Sequence, residues 1–215
     1  MSLQLRNVSL VLNGKQLIVA FSLDIADGEV VTLMGRSGSG KSSLLSYIAG
    51  DLAAPFDGNG DVILNGKALN NIPPQNRKIG RLFQDDLLFP HMTVGENLLF
   101  ATPRGARIER EAMMQIALTR AELEGFADRA PHTLSGGQRA RVSLMRSLLA
   151  KPQAMLLDEP FNKLDRELRG TIRDYTFAHL KTRSVPTLLV THDIGDAPVG
   201  GRIFEINTLG EIEHV

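Results

Sequence analysis

The N-terminal part of the chain alternates apolar and polar residues with the short period of half-buried strands. "LQLRNVSLVL" and "LIVAFSLDI" follow that period. A turn at "ADG" then leads into "EVVTLMG", an apolar run ending in glycine, the pattern of a strand feeding a loop. The period lengthens over residues 42–52, where Leu44, Leu45, Ile48 and Leu52 fall on one helical face. "GDVILNGKAL" predicts a strand and a hairpin turn through Asn65-Gly66, and "RKIGRLFQDDLLF" carries another short strand. From about residue 92 to 153 the strand signals vanish. "REAMMQIALTRAELEGFA" reads as a helix, and so does the stretch after "LSGGQ", with Val142, Met145, Leu148 and Leu149 on one apolar face. Strands resume at "AMLLDE" (154–159) and "TLLVTHD" (187–193), separated by a helical stretch around 165–182, and "GRIFEINTLGEIEHV" reads as a terminal hairpin. Strands alternating with helices around a Gly-rich loop predict an α/β sheet with an inserted helical subdomain.

Composition narrows the function without naming it. The 215 residues suffice for one domain with a sizeable core. Lys plus Arg is 24 and Asp plus Glu is 24, so the net charge is zero and the basic excess of a general nucleic-acid binder is missing. With no cysteine, disulfides and thiolate metal sites are excluded. The start "MSLQLRNVSLVLNGKQL" is interrupted by polar residues too early for a signal peptide, and no apolar run approaches the ~18 residues that span a bilayer. If a membrane is involved, another chain supplies it.

The clearest chemistry lies at "GRSGSGKS", residues 35–42, between a predicted strand and a predicted helix. The pattern is that of a phosphate loop. Glycines let backbone N–H groups turn inward as an anion nest, and the helix N-terminus adds its positive dipole end. The candidate phosphate ligands are Gly35, Arg36, Ser37, Gly38, Ser39, Gly40, Lys41, Ser42 and Ser43, with most backbone donors from residues 38–43. Lys41 is suited to the β- and γ-phosphates, and the Ser42 hydroxyl to Mg²⁺. "AMLLDE" ends in Asp158-Glu159, a costly place for two carboxylates if the strand tip is buried. Two roles fit them beside a phosphate loop: Asp158 would hold Mg²⁺, and Glu159 would orient or deprotonate an attacking water. Adjacent acids in an extended segment point to different sides, which suits two roles.

"LSGGQ" poses a separate question, because each glycine costs a helix about 1 kcal/mol against alanine. Ser135 and Gln138 fit a capping box, which accounts for the serine and the glutamine but not for Gly136 and Gly137.

"GRSGSGKS", "LFQ", "LSGGQ", "LLDEP" and "VTHD", in that order, resemble the ATP-binding subunits of ABC transporters, and the resemblance covers nearly the whole chain. "RKIGRLFQDDLLFPHMTVGENL" is most similar to importer-type subunits of the inorganic-ion, polyamine and thiamine groups. The resemblance implies a P-loop NTPase (RecA-like) core with an N-terminal antiparallel β subdomain and an inserted α-helical subdomain. On that reading residues 1–215 form a single nucleotide-binding domain, its core about 1–86 and 154–215 and its helical subdomain about 87–153. It also implies ATP hydrolysis with Mg²⁺ in a head-to-tail dimer, each ATP lying between the phosphate loop of one subunit and the "LSGGQ" of the other. Gly136 and Gly137 would let backbone approach the neighbour's γ-phosphate, with Ser135 and Gln138 beside them. Gln84 of "LFQ" would contact Mg²⁺ and the water, His192 of "VTHD" the γ-phosphate and the water, and Asp165 of "FNKLD" the dimer interface.

The implied partners are a second nucleotide-binding subunit, for which a copy of this chain suffices, transmembrane permease subunits and a separate substrate-binding protein. Such a subunit would sit peripherally at the cytoplasmic face of the inner membrane, and "LLFPHMTV" (87–94) would form part of a groove for a permease helix or ordinary subdomain core. The alternative is a soluble ABC-class ATPase without a membrane partner. Several positions depart from the family pattern. Leu12 stands where an aromatic residue usually stacks on adenine, so weak stacking and loose base selectivity are expected. Arg36 replaces a common proline, and Asn162-Lys163 a small pair before Leu-Asp. "IGDAPVGGRI" is expected to be irregular where the family has a short helix, and the end of the chain leaves no C-terminal regulatory domain to be expected.

Overall fold

The first two alternating segments build a hairpin. β1 (Leu3–Leu12) and β2 (Lys15–Ile25) pair antiparallel, and Leu3, Leu5, Val8, Leu10, Ile18 and Ile25 are buried. β4 (Phe56–Leu64) joins the other edge of β1, and β5 (Lys67–Ala68) folds back on β4 through Asn65-Gly66, giving the order β2-β1-β4-β5. Both turn residues have positive φ, as that two-residue hairpin requires.

A second sheet has the order β10-β9-β3-β8-β7-β6. Its strands are β3 (Val30–Gly35), β6 (Ile79–Leu82), β7 (Ala154–Asp158), β8 (Thr187–Val190), β9 (Ile203–Ile206) and β10 (Ile212–His214). β9, β3, β8 and β7 run parallel, and β10 closes on β9 as the expected terminal hairpin. β7 and β8 are buried at every position, which is why they read as unbroken apolar runs rather than alternations. α1 (Lys41–Ala49) follows β3 and buries Leu44, Leu45 and Ile48 in one core with the inner faces of both sheets. The helix stops three residues short of Leu52, because Gly50 turns left-handed (φ 85°) and closes its C-terminus.

The computed structural model describes residues 2–215 in two compact units. Residues 2–81, Gln153–Glu159 and Leu180–Val215 form the first, which holds the core just described; Leu82–Pro152 and Pro160–His179 form the second. In the second, α2 (Val94–Ala101), α3 (Arg107–Arg120) and α4 (Gly136–Leu149) pack together, burying Val94, Leu98, Met114, Leu118, Val142, Met145 and Leu148. α5 (Arg166–Thr182) starts in this unit. α3 ends earlier than its apolar pattern suggests. Glu122 and Gly125 take positive φ after Ala121, and a left-handed residue ends a helix.

Candidate functional site

β3, β7 and β8 deliver their carboxyl ends side by side in the first unit, and the candidate residues gather there. Residues 36–40 leave β3 as a turn, and Gly40, with φ 94°, precedes the first residue of α1. A left-handed residue is needed at that point, and Leu17 of β2 packs where a side chain on Gly40 would go, its Cγ 2.8 Å from an added Cβ. Gly38 also has positive φ, but no atom lies within 4 Å of its would-be Cβ, so the loop is open on that side. Unlike α2 and α4, α1 has no side-chain cap, and like α4 it has no acidic residue in its first turn. Its N-terminal N–H groups and dipole are therefore available to an anion.

Lys41 is 8 % exposed and donates from Nζ to the carbonyls of Gly35 (2.7 Å) and Arg36 (2.9 Å). Burial lowers its pKa, and the nearby Glu159 and Asp158 charges partly offset this. Ser39 Oγ is buried without a hydrogen-bond partner, an orphan that a phosphate oxygen would satisfy. Asp158 ends β7 and is 5 % exposed. Burial raises its carboxyl pKa; the Ser42 hydroxyl that hydrogen-bonds it, Arg81 and Lys41 oppose the rise, and Glu159 adds to it. Among the described residues no group of three His, Cys, Asp or Glu is placed to hold a metal. One hydroxyl and one carboxylate suit Mg²⁺, which takes one or two protein ligands and fills its octahedron with phosphate oxygens and water.

Glu159 sits just beyond β7 with φ 49°, a left-handed backbone that is uncommon for a residue with a side chain. Its N–H donates to the Val190 carbonyl (2.9 Å), which ties the strained residue to the end of β8. One carboxylate oxygen, Oε1, lies 2.8 Å from His192 Nδ1, and the imidazole is 58 % exposed. Thr191 Oγ1 is 2.8 Å from Asp196 Oδ2 and 3.5 Å from Glu159 Oε2, so its single proton goes to Asp196 and leaves Glu159 Oε2 able to accept another. Sequence reasoning passed over Thr191 and the buried Asp196; a buried acid three residues past Asp193 has no local signal. The stretch after His192 is irregular as expected, a single 3₁₀ turn (Ile194–Asp196) that Asp193 caps by accepting from Gly195 N. Leu12 is the last residue of β1 and is partly buried.

The other candidates belong to the second unit. Gln84 is exposed in a bend between β6 and α2, and Asp165 is exposed one residue before α5. Ser135 and Gln138 form the expected capping box at α4: Gln138 N donates to Ser135 Oγ (3.2 Å), and Ser135 N to Gln138 Oε1 (2.9 Å). The glycines then separate. A Cβ on Gly137 would lie 2.9 Å from the Lys163 carbonyl oxygen, whereas one on Gly136 would meet nothing nearer than 3.9 Å. Gly137 thus has a reason within its own chain, and Gly136 has none.

The unit also contains an ionic hub absent from the sequence reading. Asp86 accepts from Arg139 Nε and from Lys163 Nζ, each at 3.3 Å, and so ties the segment after Gln84 to α4 and to the stretch before Asp165. Buried Asn97 holds residues 87–94 against α2 through the Phe89 and Met92 backbone. Arg146 stacks over the Phe89 ring at 5.4 Å, while Leu87 and Phe100 remain exposed.

Known proteins resemble this chain in sequence and in fold. The family model described as ABC transporter matches residues 18–162. An uncharacterized ABC transporter ATP-binding protein of Escherichia coli (strain K12), YnjD, is 44 % identical over 94 % of this chain and 93 % of its own length. The sn-glycerol-3-phosphate import ATP-binding protein UgpC of Paracoccus denitrificans is 43 % identical over 84 % of this chain, which spans about half (51 %) of that relative. Among solved structures, the dimeric bacterial ABC transporter cassette MJ0796 is 32 % identical with a TM-score of 0.84, covering 98 % of this chain and 96 % of that one. A dimeric post-hydrolysis state of MJ0796 bound to ADP and Pi matches equally well.

Proposed function

This chain belongs to the ABC transporter ATP-binding family, and from that premise we propose that its first unit holds Mg-ATP between residues 35–43, Asp158, Glu159 and His192. It is an ATP-binding and ATP-hydrolysing subunit of such a transporter. The observation that carries the site assignment is one arrangement: an uncapped helix N-terminus, a buried lysine bonded to backbone carbonyls alone, a buried Asp158 and the Glu159–His192 pair.

Phosphoryl transfer to water asks the protein for position and charge rather than covalent chemistry. Backbone N–H groups of residues 38–43 bind phosphate oxygens, and Lys41 exchanges the Gly35 and Arg36 carbonyls for the β- and γ-phosphates. Ser42 and Asp158 would hold Mg²⁺, which when bound neutralises charge on the phosphate oxygens. Glu159 takes the proton of the attacking water at its free oxygen. His192, bonded to the other oxygen, fixes the carboxylate's rotation and contacts the γ-phosphate.

Gln84 would serve Mg²⁺ and the water, while Ser135, Gly136, Gly137, Gln138 and Asp165 would serve the ATP of a second copy in a homodimer. Residues 1–215 act as one nucleotide-binding domain, core about 1–86 and 154–215, helical subdomain about 87–153. Import is the direction assigned, with permease subunits and a substrate-binding protein as partners, and the chain is peripheral at the cytoplasmic face of the inner membrane. No described helix is long and apolar enough to cross a membrane. Exposed Leu87 in the pinned 87–94 segment and exposed Phe100 of α2 support a permease contact there.

The test is recovery of tagged Glu159→Gln protein, with ATP, from detergent-solubilised native membranes. A polytopic membrane protein recovered in stoichiometric amount is expected. Soluble partners alone, with the protein absent from membranes, would overturn the transporter assignment in favour of a soluble ABC-class ATPase.

A further inference from the structure

We propose that Phe56 supplies the aromatic surface for the nucleotide base that Leu12 cannot, so that the base rests on β4 as well as β1; this builds on the phosphate site assigned above. The sheet register brings the two residues together. Leu12 stands opposite Lys15 on β2 and opposite Phe56 on β4. Directly opposed residues of antiparallel strands share a face, with Cβ atoms about 4.5–5.5 Å apart. Lys15, Leu12 and Phe56 therefore form one row at the end of the sheet.

The next row on the same face explains why this one is left over. There Leu10 lies opposite Gly58, and a Cβ on Gly58 would come within 2.4 Å of the Tyr47 ring of α1. Tyr47 fills that place and packs on the core with Leu10. Phe56 lies beyond it, partly buried and outside the hydrophobic cluster. A large ring at a strand end that takes no part in the core has surface to offer.

Its distance from the phosphate loop suits a base. Leu17, adjacent to Gln16, packs on Gly40 at the start of α1, and Gln16 is paired with Val11. From Leu17 to Phe56 is two strand spacings across and about two residues along, or roughly 12 Å at about 4.8 Å per spacing and 3.4 Å per residue. That matches the order of the span from the β-phosphate to the purine of an extended nucleoside triphosphate. Stacking uses the face of a base and not its edge, so ATP and GTP should both gain from it.

The chain contains no tryptophan, so Phe56→Trp gives a single emission signal at the proposed platform. We expect ATP and GTP to change the emission of F56W and inorganic tripolyphosphate to leave it unaltered. In calorimetry with Mg²⁺, Phe56→Ala should weaken ATP and GTP roughly tenfold each, while tripolyphosphate binds as to the unaltered chain. Phe56→Leu, which keeps most of the apolar volume, should lose similar affinity and guards against a folding defect in the alanine variant. Wild-type ATP affinity in both variants, with tripolyphosphate still bound, would overturn the platform and leave the phosphate site standing. Failure of the unaltered chain to bind either ATP or tripolyphosphate would overturn both.

Discussion

Exchanging the two signature glycines one at a time separates packing from ligand binding. In Gly137→Ala the new methyl would lie 2.9 Å from the Lys163 carbonyl oxygen, about 0.4 Å inside the shortest comfortable C···O approach of about 3.3 Å. The obstacle is backbone, so one of two chain segments must move, and overpacking of that kind costs about 1–3 kcal/mol. Helix propensity returns at most about 1 kcal/mol. In Gly136→Ala the methyl meets only the tip of Arg139 at 3.9 Å, so the propensity gain stands without an opposing clash. The two variants should therefore differ by about 1–3 kcal/mol. For a chain of this size that is a melting-temperature gap of roughly 2–12 °C, Gly136→Ala being at or above the unaltered protein and Gly137→Ala below it. Differential scanning calorimetry reads the gap, and steady-state phosphate release reads function. If Gly136 is there for a neighbour's γ-phosphate, its alanine variant combines undiminished stability with a loss of hydrolysis of at least about tenfold. Undiminished hydrolysis in Gly136→Ala would refute the ligand argument. A Gly137→Ala protein as stable as Gly136→Ala would refute the steric one.

Glu159→Gln removes the proton acceptor while keeping the side-chain shape, so ATP should bind and hold a dimer in gel filtration; monomeric elution in ATP would count against Glu159 as the base. His192→Ala takes away the 2.8 Å partner of Glu159 Oε1, and hydrolysis should drop by about 10²-fold or more with nucleotide affinity nearly unchanged. Wild-type turnover in that variant would rule the imidazole out of the chemistry. Asp158→Asn addresses stability and pH together. Burial raises the Asp158 pKa in the folded chain, so the folded state keeps that proton to higher pH than the unfolded chain does. Stability is then lost as pH rises from the ordinary aspartate value of about 3.9 through the native one. The asparagine variant should melt higher than the unaltered protein at pH 7, lose that advantage as pH falls towards 4, and hydrolyse no ATP. A lower melting temperature at pH 7 would show the carboxylate to be a stabilising group.

Local pattern was enough for the elements and for most of the phosphate chemistry. Strand alternation, apolar runs and the glycine-lysine-serine loop are short-range properties, since steric limits on φ and ψ and the period of burial act over a few residues. The capping box at Ser135 and Gln138 and the Asn65-Gly66 hairpin were legible for the same reason. The ends of α1 and α3 were less so: Gly50 and Glu122 end them by taking left-handed backbone, which an apolar pattern running past them does not report.

Short-range pattern therefore accounts for the local devices: a phosphate loop, two acids at a strand tip, a histidine after another strand and a capped Gly-Gly helix start. Tertiary structure alone decided which groups meet. Asp86 reaches Arg139 and Lys163 over separations of 53 and 77 residues. Thr191 gives its proton to Asp196 rather than to Glu159, and Phe56 falls beside Leu12 because β4 crosses back along β1 in a particular register. The division between Gly136 and Gly137 belongs to the same class, since it depends on where the Lys163 carbonyl comes to rest. Contacts of that kind depend on the packing of distant segments to within a few tenths of an ångström, and no pattern within a window of neighbouring residues encodes it.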